Sequence, residues 1–371
     1  GVMEILLAAV LLLTGPFWLA SWAMVVRLRV VPRAEADATG LDGGLSVIIP
    51  ARNEKENLAR LLPSLEAPEG MPFEVIVVDD QSSDGTADCA RAHGATVVSG
   101  EAPPDGWLGK PWACRQGVNA ARGQWLLFLD ADTWLEPGGV KRIAALAGDE
   151  RAVHSICPYH RVPTVAEQWS LFFNLVMIMG TNAFTIRGGE AREVGLFGQA
   201  LLVPRPLYEE VGGHGTVKGE VLENFHLSRH FGACGAQRTC WLGRGTITMR
   251  MFPGGVRDLV AGWGKGIVSG AGATAKWAVA GVAAWFSARF SAAIALLVAL
   301  GAGSSLAAVA LGLYLICAAQ VFFLARQAGS FRWWAALLYP AGLIFYQAVF
   351  LAAVRRKRRG GTTSWKGRDV A

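Results

Sequence analysis

The sequence predicts an α/β domain with a mixed, parallel-rich sheet, joined to helices that span a membrane. Strand and helix signals alternate between residues 45 and 252, which is typical of a sheet covered by helices. Uncharged stretches at residues 5–26 and 290–325 flank that region. Apolar residues make up 52% of the 371-residue chain and charged residues only 17%, which is more apolar than a purely soluble α/β protein.

The first apolar stretch predicts an amino-terminal anchor over residues 1–33. Residues 5–26 are long enough to cross the roughly 30 Å hydrocarbon layer as a helix. Arg27, Arg29 and Arg33 follow directly, so the positive-inside rule predicts an external amino end and a cytosolic main domain. Residues 34–44 are predicted to be a polar linker.

The α/β domain is predicted over residues 45–252. Strands are expected at residues 45–50, 73–78, 95–98, 124–129, 153–157, 198–204 and 246–252. Helices are expected at residues 54–65, 112–121, 137–147 and 220–232, and a turn at residues 82–86 is expected to lead into a helix that ends near residue 94. Residues 169–186 are uncharged but lie inside this domain, and a helix on the membrane surface is the favoured interpretation.

The carboxy-terminal third predicts an interfacial segment, 253–288, then transmembrane helices over 289–354. Residues 290–325 are interpreted as two short helices joined by a turn at 301–305, and residues 333–354 as a further span. Arg289 is expected to be an interface anchor. Four crossings would place the tail outside, so either one apolar segment is re-entrant or interfacial, or residues 277–286 add a crossing.

The basic tail, residues 355–371, opens with five consecutive basic residues directly after an apolar segment. Although the net charge of +6 could suggest nucleic acid, this placement favours anionic lipid headgroups and excludes a nucleic-acid partner. We therefore expect a multi-pass protein of the cell membrane with its tail in the cytosol.

Three loops that carry acidic side chains follow predicted strands. They are PARNE at residues 50–54, DDQSSDGT at residues 79–86 and DAD at residues 130–132. The carboxyl ends of parallel strands share one edge of the sheet, so the loops can converge on one ligand. Two carboxylates suit Mg²⁺ or Mn²⁺, which suits a substrate with phosphates. Taken singly, each acid could equally be a helix cap.

These motifs resemble those of the family 2 glycosyltransferases with the GT-A fold. The matching segments are SVIIPARNE at residues 46–54, VVDDQSSDGT at residues 77–86 and DAD at residues 130–132. The resemblance implies a nucleotide-sugar donor, expected to be UDP-glucose, a Mg²⁺ or Mn²⁺ ion, and inversion at the anomeric carbon. The residues expected to bind the nucleotide sugar are Pro50, Ala51, Arg52, Asn53, Glu54, Asp79, Asp80, Lys110, Asp130 and Ala131, and Asp132 with Asp130 is expected to bind the metal.

A narrower similarity is to carotenoid-modifying glycosyltransferases of the diaponeurosporenoate type. It is carried by GQALLV at 198–203, GGH at 212–214, MFPGG at 251–255 and GWGK at 262–265. It implies a long apolar acceptor, such as a carotenoid or another lipid. Trp263 and Lys265 could position that acceptor, although an interfacial tryptophan and a snorkelling lysine are common in any membrane protein.

The expected catalytic base is altered in this sequence. The family normally has an acidic pair at the start of a helix, but residues 222–225 read LENF, and the amide of Asn224 cannot act as a base. Either Glu223 or Glu220 takes the role, or the acceptor is a carboxylate that needs no base, or the enzyme is impaired. Glu223 could also be only a favourable charge at a helix start.

The predicted function is inverting transfer of a sugar to a membrane lipid, a carotenoid acid or alcohol. The alternatives are transfer to a polyprenyl phosphate and a catalytically silent membrane assembly protein with this fold.

Overall fold

A computed structural model of the protein describes residues 2–33, 41, 43–188, 194–220, 222–359, 363–365 and 368–370. The chain forms two compact units. We call Gly1–Leu28, Arg161–Ala191 and Phe252–Arg359 the helical unit. We call Arg29–His160, Arg192–Met251 and Gly360–Ala371 the sheet unit. Most of the predicted linker at 34–44 lies outside the described residues. The bounds of the five predicted segments of the chain stay a prediction.

The strands follow in chain order. They are β1 Leu45–Ala51, β2 Phe73–Asp79, β3 Thr96–Ser99, β4 Trp125–Leu129, β5 Thr133–Leu135, β6 Ala152–Cys157, β7 Tyr159–His160, β8 Ala200–Pro204, β9 Gln237–Leu242, β10 Ile247–Met249, β11 Thr363–Trp365 and β12 Arg368–Val370.

The α-helices are α1 Val2–Ala20, α2 Lys55–Leu61, α3 Thr86–Ala92, α4 Gly109–Ala120, α5 Gly139–Ala144, α6 Val165–Gln168, α7 Leu171–Gly180, α8 Arg205–Glu210, α9 Glu223–Ala233, α10 Val256–Ala273, α11 Lys276–Gly301, α12 Ala307–Ala328, α13 Trp333–Leu337 and α14 Tyr339–Arg358. Short 3-10 helices cover Ser21–Met24, Leu62–Ser64 and Gly213–Val217.

The sheet unit is built on a seven-stranded mixed sheet with the order β3-β2-β1-β4-β8-β6-β9. β1 is parallel to both β2 and β4, whereas β8 runs antiparallel to both β4 and β6. The carboxyl ends of β1, β2 and β4 therefore share one edge of the sheet. The predicted mixed, parallel-rich sheet with flanking helices is confirmed.

Burial on both faces explains why the central strands are continuous apolar runs. All five residues of β4 are buried, as are six of the seven residues of β1. Gly117 lets α4 lie close to the sheet, since a Cβ there would stand 2.5 Å from a methyl of Ile48. This packing fixes the amino-terminal turn of α4, which carries Lys110.

A second, three-stranded sheet has the order β5-β10-β7. The strand predicted at residues 246–252 is β10, which belongs to this small sheet. β5 and β7 were missed because strands of two or three residues are too short for an alternating pattern. β9 was also missed, and β11 and β12 pair with each other as a separate antiparallel hairpin.

The helical unit contains three helical segments long and apolar enough to cross a membrane, among the residues described. They are Val2–Met24, Lys276–Gly301 and Ala307–Ala328. The turn predicted at 301–305 is confirmed, but the two helices beside it are longer than expected, and residues 276–288 form the first half of α11. The span predicted at 333–354 is wrong as one helix, because it is interrupted at Leu338, between α13 and α14, and Pro340 lies in the first turn of α14.

Two further expectations for the helical unit are wrong. Residues 171–180 form a helix whose side chains are mostly buried against α11, α12 and α14, so α7 does not lie on the membrane surface. A short helix that is apolar on every side is better stabilised by burial inside a bundle. Arg289 is not an interface anchor, because it is fully buried, with Nη1 donating to the Trp285 carbonyl at 2.6 Å.

Candidate active site

The loops after β1 and β2 are bound to each other through main-chain and side-chain groups. The backbone N–H of Asn53 donates to Ser82 Oγ at 2.9 Å, and that of Ser83 donates to Asn53 Oδ1 at 2.9 Å. Asn53 has a φ of 53°, in the left-handed region that asparagine tolerates better than most residues. The two loops therefore form one rigid rim at the edge of the sheet.

Asp84 belongs to that rim as a structural group. Its carboxylate accepts from the backbone N–H of Lys55 at 3.1 Å and of Thr86 at 3.0 Å, which ties α2 to the start of α3. Burial alone would raise the pKa of Asp84, but the hydrogen bonds from Thr86 and Lys55 outweigh it and lower the pKa. Asp84 therefore stabilises the loop.

Arg52, Asp79 and Asp80 lie at the ends of β1 and β2, as the sequence predicted. Arg52 Nη1 donates to the Asp80 carbonyl at 2.9 Å and lies 3.7 Å from Asp80 Oδ2. Asp79 Oδ1 accepts from the backbone N–H of Ser82 at 3.2 Å. The two aspartates supply hydrogen-bond acceptors and Arg52 supplies a cation on the same rim. This combination suits a nucleoside and its phosphates.

Asp130 and Asp132 follow β4 on the same edge, and Ala131 between them is buried. Asp132 Oδ1 is buried without a hydrogen-bond partner among the described residues. Burial, and next the charge of Asp130, raise the pKa of Asp132 to about 7, while Lys110 acts in the opposite direction. A buried, unpaired carboxylate oxygen beside a second carboxylate is an environment that a divalent cation would stabilise.

The two carboxylates fit a small, hard cation. No cluster of three or more His, Cys, Asp or Glu side chains able to hold a metal occurs in the described part of the chain. Two protein oxygens suffice for Mg²⁺ or Mn²⁺, whose other positions are commonly filled by water and substrate phosphates. The residues present therefore fit an ion that binds together with a diphosphate.

Lys110 joins this acidic pair to α9. Its Nζ lies 2.7 Å from Asp130 Oδ1 and 3.1 Å from Glu223 Oε1. Burial alone would lower the pKa of Lys110, but the charges of Asp130 and Glu223 outweigh it and raise the pKa well above its ordinary value. Lys110 is therefore a permanent cation in the site.

Glu223 and Asn224 are both buried at the first turn of α9. Asn224 Nδ2 donates to Glu223 Oε1 at 2.9 Å, so this one oxygen faces both the amide and Lys110. Glu220 lies apart from this group of contacts, in a more exposed position, and pairs with His226 Nε2 at 3.3 Å. Of the three predicted catalytic residues, Glu223 and Asn224 thus contact each other, Glu223 also contacts Lys110, and Glu220 lies apart.

Gly198 and Gln199 belong to the site but were singled out in the sequence only as part of a similarity motif. The Gln199 carbonyl accepts from the backbone N–H of Asp130 at 2.9 Å. A Cβ on Gly198 would stand 2.6 Å from Asn224 Nδ2 and 3.4 Å from Lys110 Nζ. Only the antiparallel pairing of β8 with β4 reveals this neighbourhood, since the two segments are far apart in sequence.

The GGH motif is structural. Tyr208 Oη and His214 Nδ1 share a hydrogen bond of 2.7 Å, and both side chains pack on the Phe128 ring of β4. Burial, with the charges of Lys110 and Arg115, lowers the pKa of His214 to about 3, so the ring is neutral. Gly213 has a φ of 53° and lies directly against Tyr208, where a side chain would clash.

Trp263 and Lys265 belong to α10 of the helical unit. The Trp263 ring stacks on Phe173 with 5.3 Å between ring centroids, and its Nε1 is buried without a partner among the described residues. The side chain of Lys265 lies outside the described groups. The acceptor roles of these two residues stay a prediction.

A Rossmann-like mixed sheet that gathers acidic loops at the carboxyl ends of β1, β2 and β4 is the arrangement of the GT-A fold. Residues 46–200 match the Glycosyl transferase family 2 model. The chain is 32% identical over 332 residues to the 4,4'-diaponeurosporenoate glycosyltransferase of Staphylococcus aureus strain MRSA252, covering 88% of each chain. It is 31% identical over the same length and coverage to the enzyme of strain USA300.

The chain therefore belongs to family 2 of the glycosyltransferases, and it is similar to carotenoid glycosyltransferases within that family. Among solved structures, the mannosyltransferase PcManGT from Pyrobaculum calidifontis, in complex with GDP-Man and Mn²⁺, matches with a TM-score of 0.55. That match covers 96% of this chain and 98% of the other at 19% identity, so it establishes the shared fold.

Proposed function

We propose that this glycosyltransferase transfers glucose from UDP-glucose to the ionised carboxylate of a membrane lipid, such as a carotenoid acid, with inversion at the anomeric carbon. The observation that carries the proposal is the environment of Glu223. Its Oε1 faces Lys110 at 3.1 Å and accepts from Asn224 at 2.9 Å. That oxygen is engaged by two donors, and the amide of Asn224 stands where the family has its second acid and cannot take up a proton, which favours an acceptor that has no proton to lose.

On the donor side, Asp79 and Asp80 accept hydrogen bonds from the uracil or the ribose, and Arg52 offsets phosphate charge. Pro50, Ala51, Asn53 and Glu54 form the adjoining loop. Asp130 and Asp132 would hold Mg²⁺ or Mn²⁺, and such an ion would supply positive charge to offset that of the diphosphate. The complex of PcManGT with GDP-Man and Mn²⁺ supports this assignment by analogy of fold.

In the reaction, a carboxylate oxygen of the acceptor attacks the anomeric carbon. The bond from that carbon to the diphosphate oxygen breaks, and UDP leaves with the electron pair. The ammonium of Lys110 lies beside Asp130 and stabilises the negative charge that develops on the departing diphosphate. No proton is removed from the acceptor, so Glu223 serves to hold Lys110.

The relatives support the class of acceptor. The curated relatives are named for 4,4'-diaponeurosporenoate, and the ending of that name denotes a carboxylate. A polyprenyl phosphate is a second candidate. It is also an ionised nucleophile, so it too needs no base at position 224, where Asn224 stands in place of the second acid. An alcohol acceptor would instead require Glu223 or Glu220 as the base.

We infer a multi-pass membrane protein with its sheet unit in the cytosol. Three crossings, by Val2–Met24, Lys276–Gly301 and Ala307–Ala328, leave the amino end outside and the basic end of α14 inside. This count agrees with the positive-inside rule at both ends. Arg355 to Arg359 would then face anionic lipid headgroups.

The test is turnover of radiolabelled UDP-glucose with Mn²⁺ and a lipid extract, followed by mass spectrometry of the labelled lipid. An acyl glucose ester releases its label on treatment with hydroxylamine, whereas a glycosyl phosphate or an ether-linked glycoside does not. Labelled lipid that resists hydroxylamine would overturn the carboxylate acceptor. No labelled lipid at all, from wild type that is folded and binds UDP, would support a silent assembly protein.

A further inference from the structure

Gln199 carries a buried polar atom that neither the fold nor the proposed chemistry uses. Its Oε1 is buried and has no hydrogen-bond partner among the described residues. We propose that Gln199 recognises the donor sugar by accepting a hydrogen bond from one of its hydroxyl groups. This inference rests on the proposed function, since it requires a sugar nucleotide at Asp130 and Asp132.

Backbone pairing between β8 and β4 holds the main chain of Gln199 beside Asp130. β8 pairs with β4 so that Ala200 lies opposite Leu129, and the next residues, Gln199 and Asp130, continue that register. The Gln199 carbonyl accepts from the backbone N–H of Asp130 at 2.9 Å. The side chain therefore begins directly across from the residue that is proposed to hold the metal and the diphosphate.

On its other side, Gln199 is joined to a glycine that leaves no space for a side chain. A Cβ on Gly198 would stand 2.6 Å from Asn224 Nδ2 and 3.4 Å from Lys110 Nζ. The segment thus lies between the acidic pair and the first turn of α9, where the proposed reaction joins donor and acceptor. Under the proposed function, the sugar occupies this part of the site.

The unpaired Oε1 of Gln199 is a hydrogen-bond acceptor, so its ligand must supply a donor. A buried carbonyl-type oxygen without a donor is unfavourable, and native proteins almost always satisfy it. Sugar hydroxyls are donors, whereas the phosphates of the donor are acceptors only and cannot satisfy the atom. An amide oxygen can also bind a metal, so the experiment must separate sugar recognition from metal binding.

The experiment compares Gln199→Met with wild type in full-length protein purified in detergent. Met has nearly the same length but no hydrogen-bonding amide. We expect UDP binding with Mn²⁺, measured by calorimetry, to stay within about twofold, and the preference for UDP-glucose over UDP to fall about 10- to 100-fold. In a panel of UDP-deoxyglucose analogues, wild type rejects the one that lacks the recognised hydroxyl, and Gln199→Met loses this rejection.

Gln237→Met is the matched control, because Gln237 is an exposed residue of β9, and it should leave all these values unchanged. Gln199→Glu keeps an acceptor oxygen and should retain the rejection even where Gln199→Met is poorly folded. Unchanged discrimination in Gln199→Met, or weakened Mn²⁺ binding in the absence of sugar, would overturn the inference. Loss of UDP binding by wild type would instead overturn the proposed function.

Discussion

Lys110 and Glu223 form a partly buried ion pair, with Nζ 3.1 Å from Oε1, and the same ammonium lies 2.7 Å from Asp130. The first turn of α4 is thereby connected both to the acidic pair after β4 and to the start of α9. The ammonium of Lys110 therefore lies between the proposed diphosphate site at Asp130 and the start of α9, where the acceptor is proposed to react.

Replacing Lys110 by methionine should remove charge stabilisation from the departing diphosphate. We expect Lys110→Met to lower kcat about 100-fold or more, because donors to a developing negative charge contribute about that much to catalysis. Steady-state turnover of labelled UDP-glucose measures the effect. Lys141→Met, at an exposed position of α5, is the control, and a kcat for Lys110→Met within twofold of wild type would refute the role.

Metal binding should depend on pH through Asp132, whose pKa is raised to about 7 by burial and by the charge of Asp130. Only the ionised carboxylate binds a cation, so the affinity for Mn²⁺ should fall by up to tenfold per pH unit below about pH 7 and level off above it. Calorimetry at pH 6, 7 and 8 measures this dependence. Equal affinities at pH 6 and pH 8 would contradict the assignment.

The same carboxylate should make the metal-free fold less stable as the pH rises from about 4 to about 7. Its pKa in the folded protein, about 7, lies above the ordinary value of 3.8, so the folded protein retains the proton to higher pH than the unfolded chain. The free energy of unfolding therefore falls as the pH rises through this window. Asp132→Asn should raise the Tm at pH 8 in chelator, and Mn²⁺ with UDP should raise the Tm of wild type but not of this variant.

Restoring the second acid of α9 should not improve the enzyme. Asn224→Asp places another negative charge beside Glu223, whose Oε1 accepts from the Asn224 amide at 2.9 Å. We expect turnover of a carboxylate acceptor to fall about tenfold or more, because the incoming anion is repelled. Labelled-lipid formation measures the change, and a large gain in activity would show instead that the wild-type site lacks a needed base.

Gly198 should be required for activity more than for folding. Gly198→Ala would bring a methyl to 2.6 Å from Asn224 Nδ2, which displaces the amide from Glu223. We expect at least tenfold lower kcat with a Tm within a few degrees of wild type. Gly215→Ala is the control, because its Cβ would meet only the Trp107 ring at an ordinary 3.8 Å. Equal losses in both variants would point to general destabilisation.

Local patterns in the sequence predicted the donor half of the site. β1, β2 and β4 are buried apolar runs that end in polar turns, so their positions along the chain and the acidic loops that follow them could be inferred from the local sequence pattern. The parallel arrangement then required that Arg52, Asp80 and Asp130 share one edge. The helix starts that carry Lys110 and Glu223 were also predicted to within a few residues, because each follows a recognisable loop.

Tertiary structure alone decided what these residues contact. The antiparallel pairing of β8 with β4 brings Gln199 against Asp130, and the packing of α4 and α9 brings Lys110 against Glu223; no sequence periodicity encodes such long-range contacts. The burial of α7 and Arg289 inside the helical unit could not be predicted either. An apolar helix has the same sequence pattern whether it contacts lipid or a protein core. The sequence thus determined the chemistry available at the sheet edge, while long-range packing determined which atoms meet there.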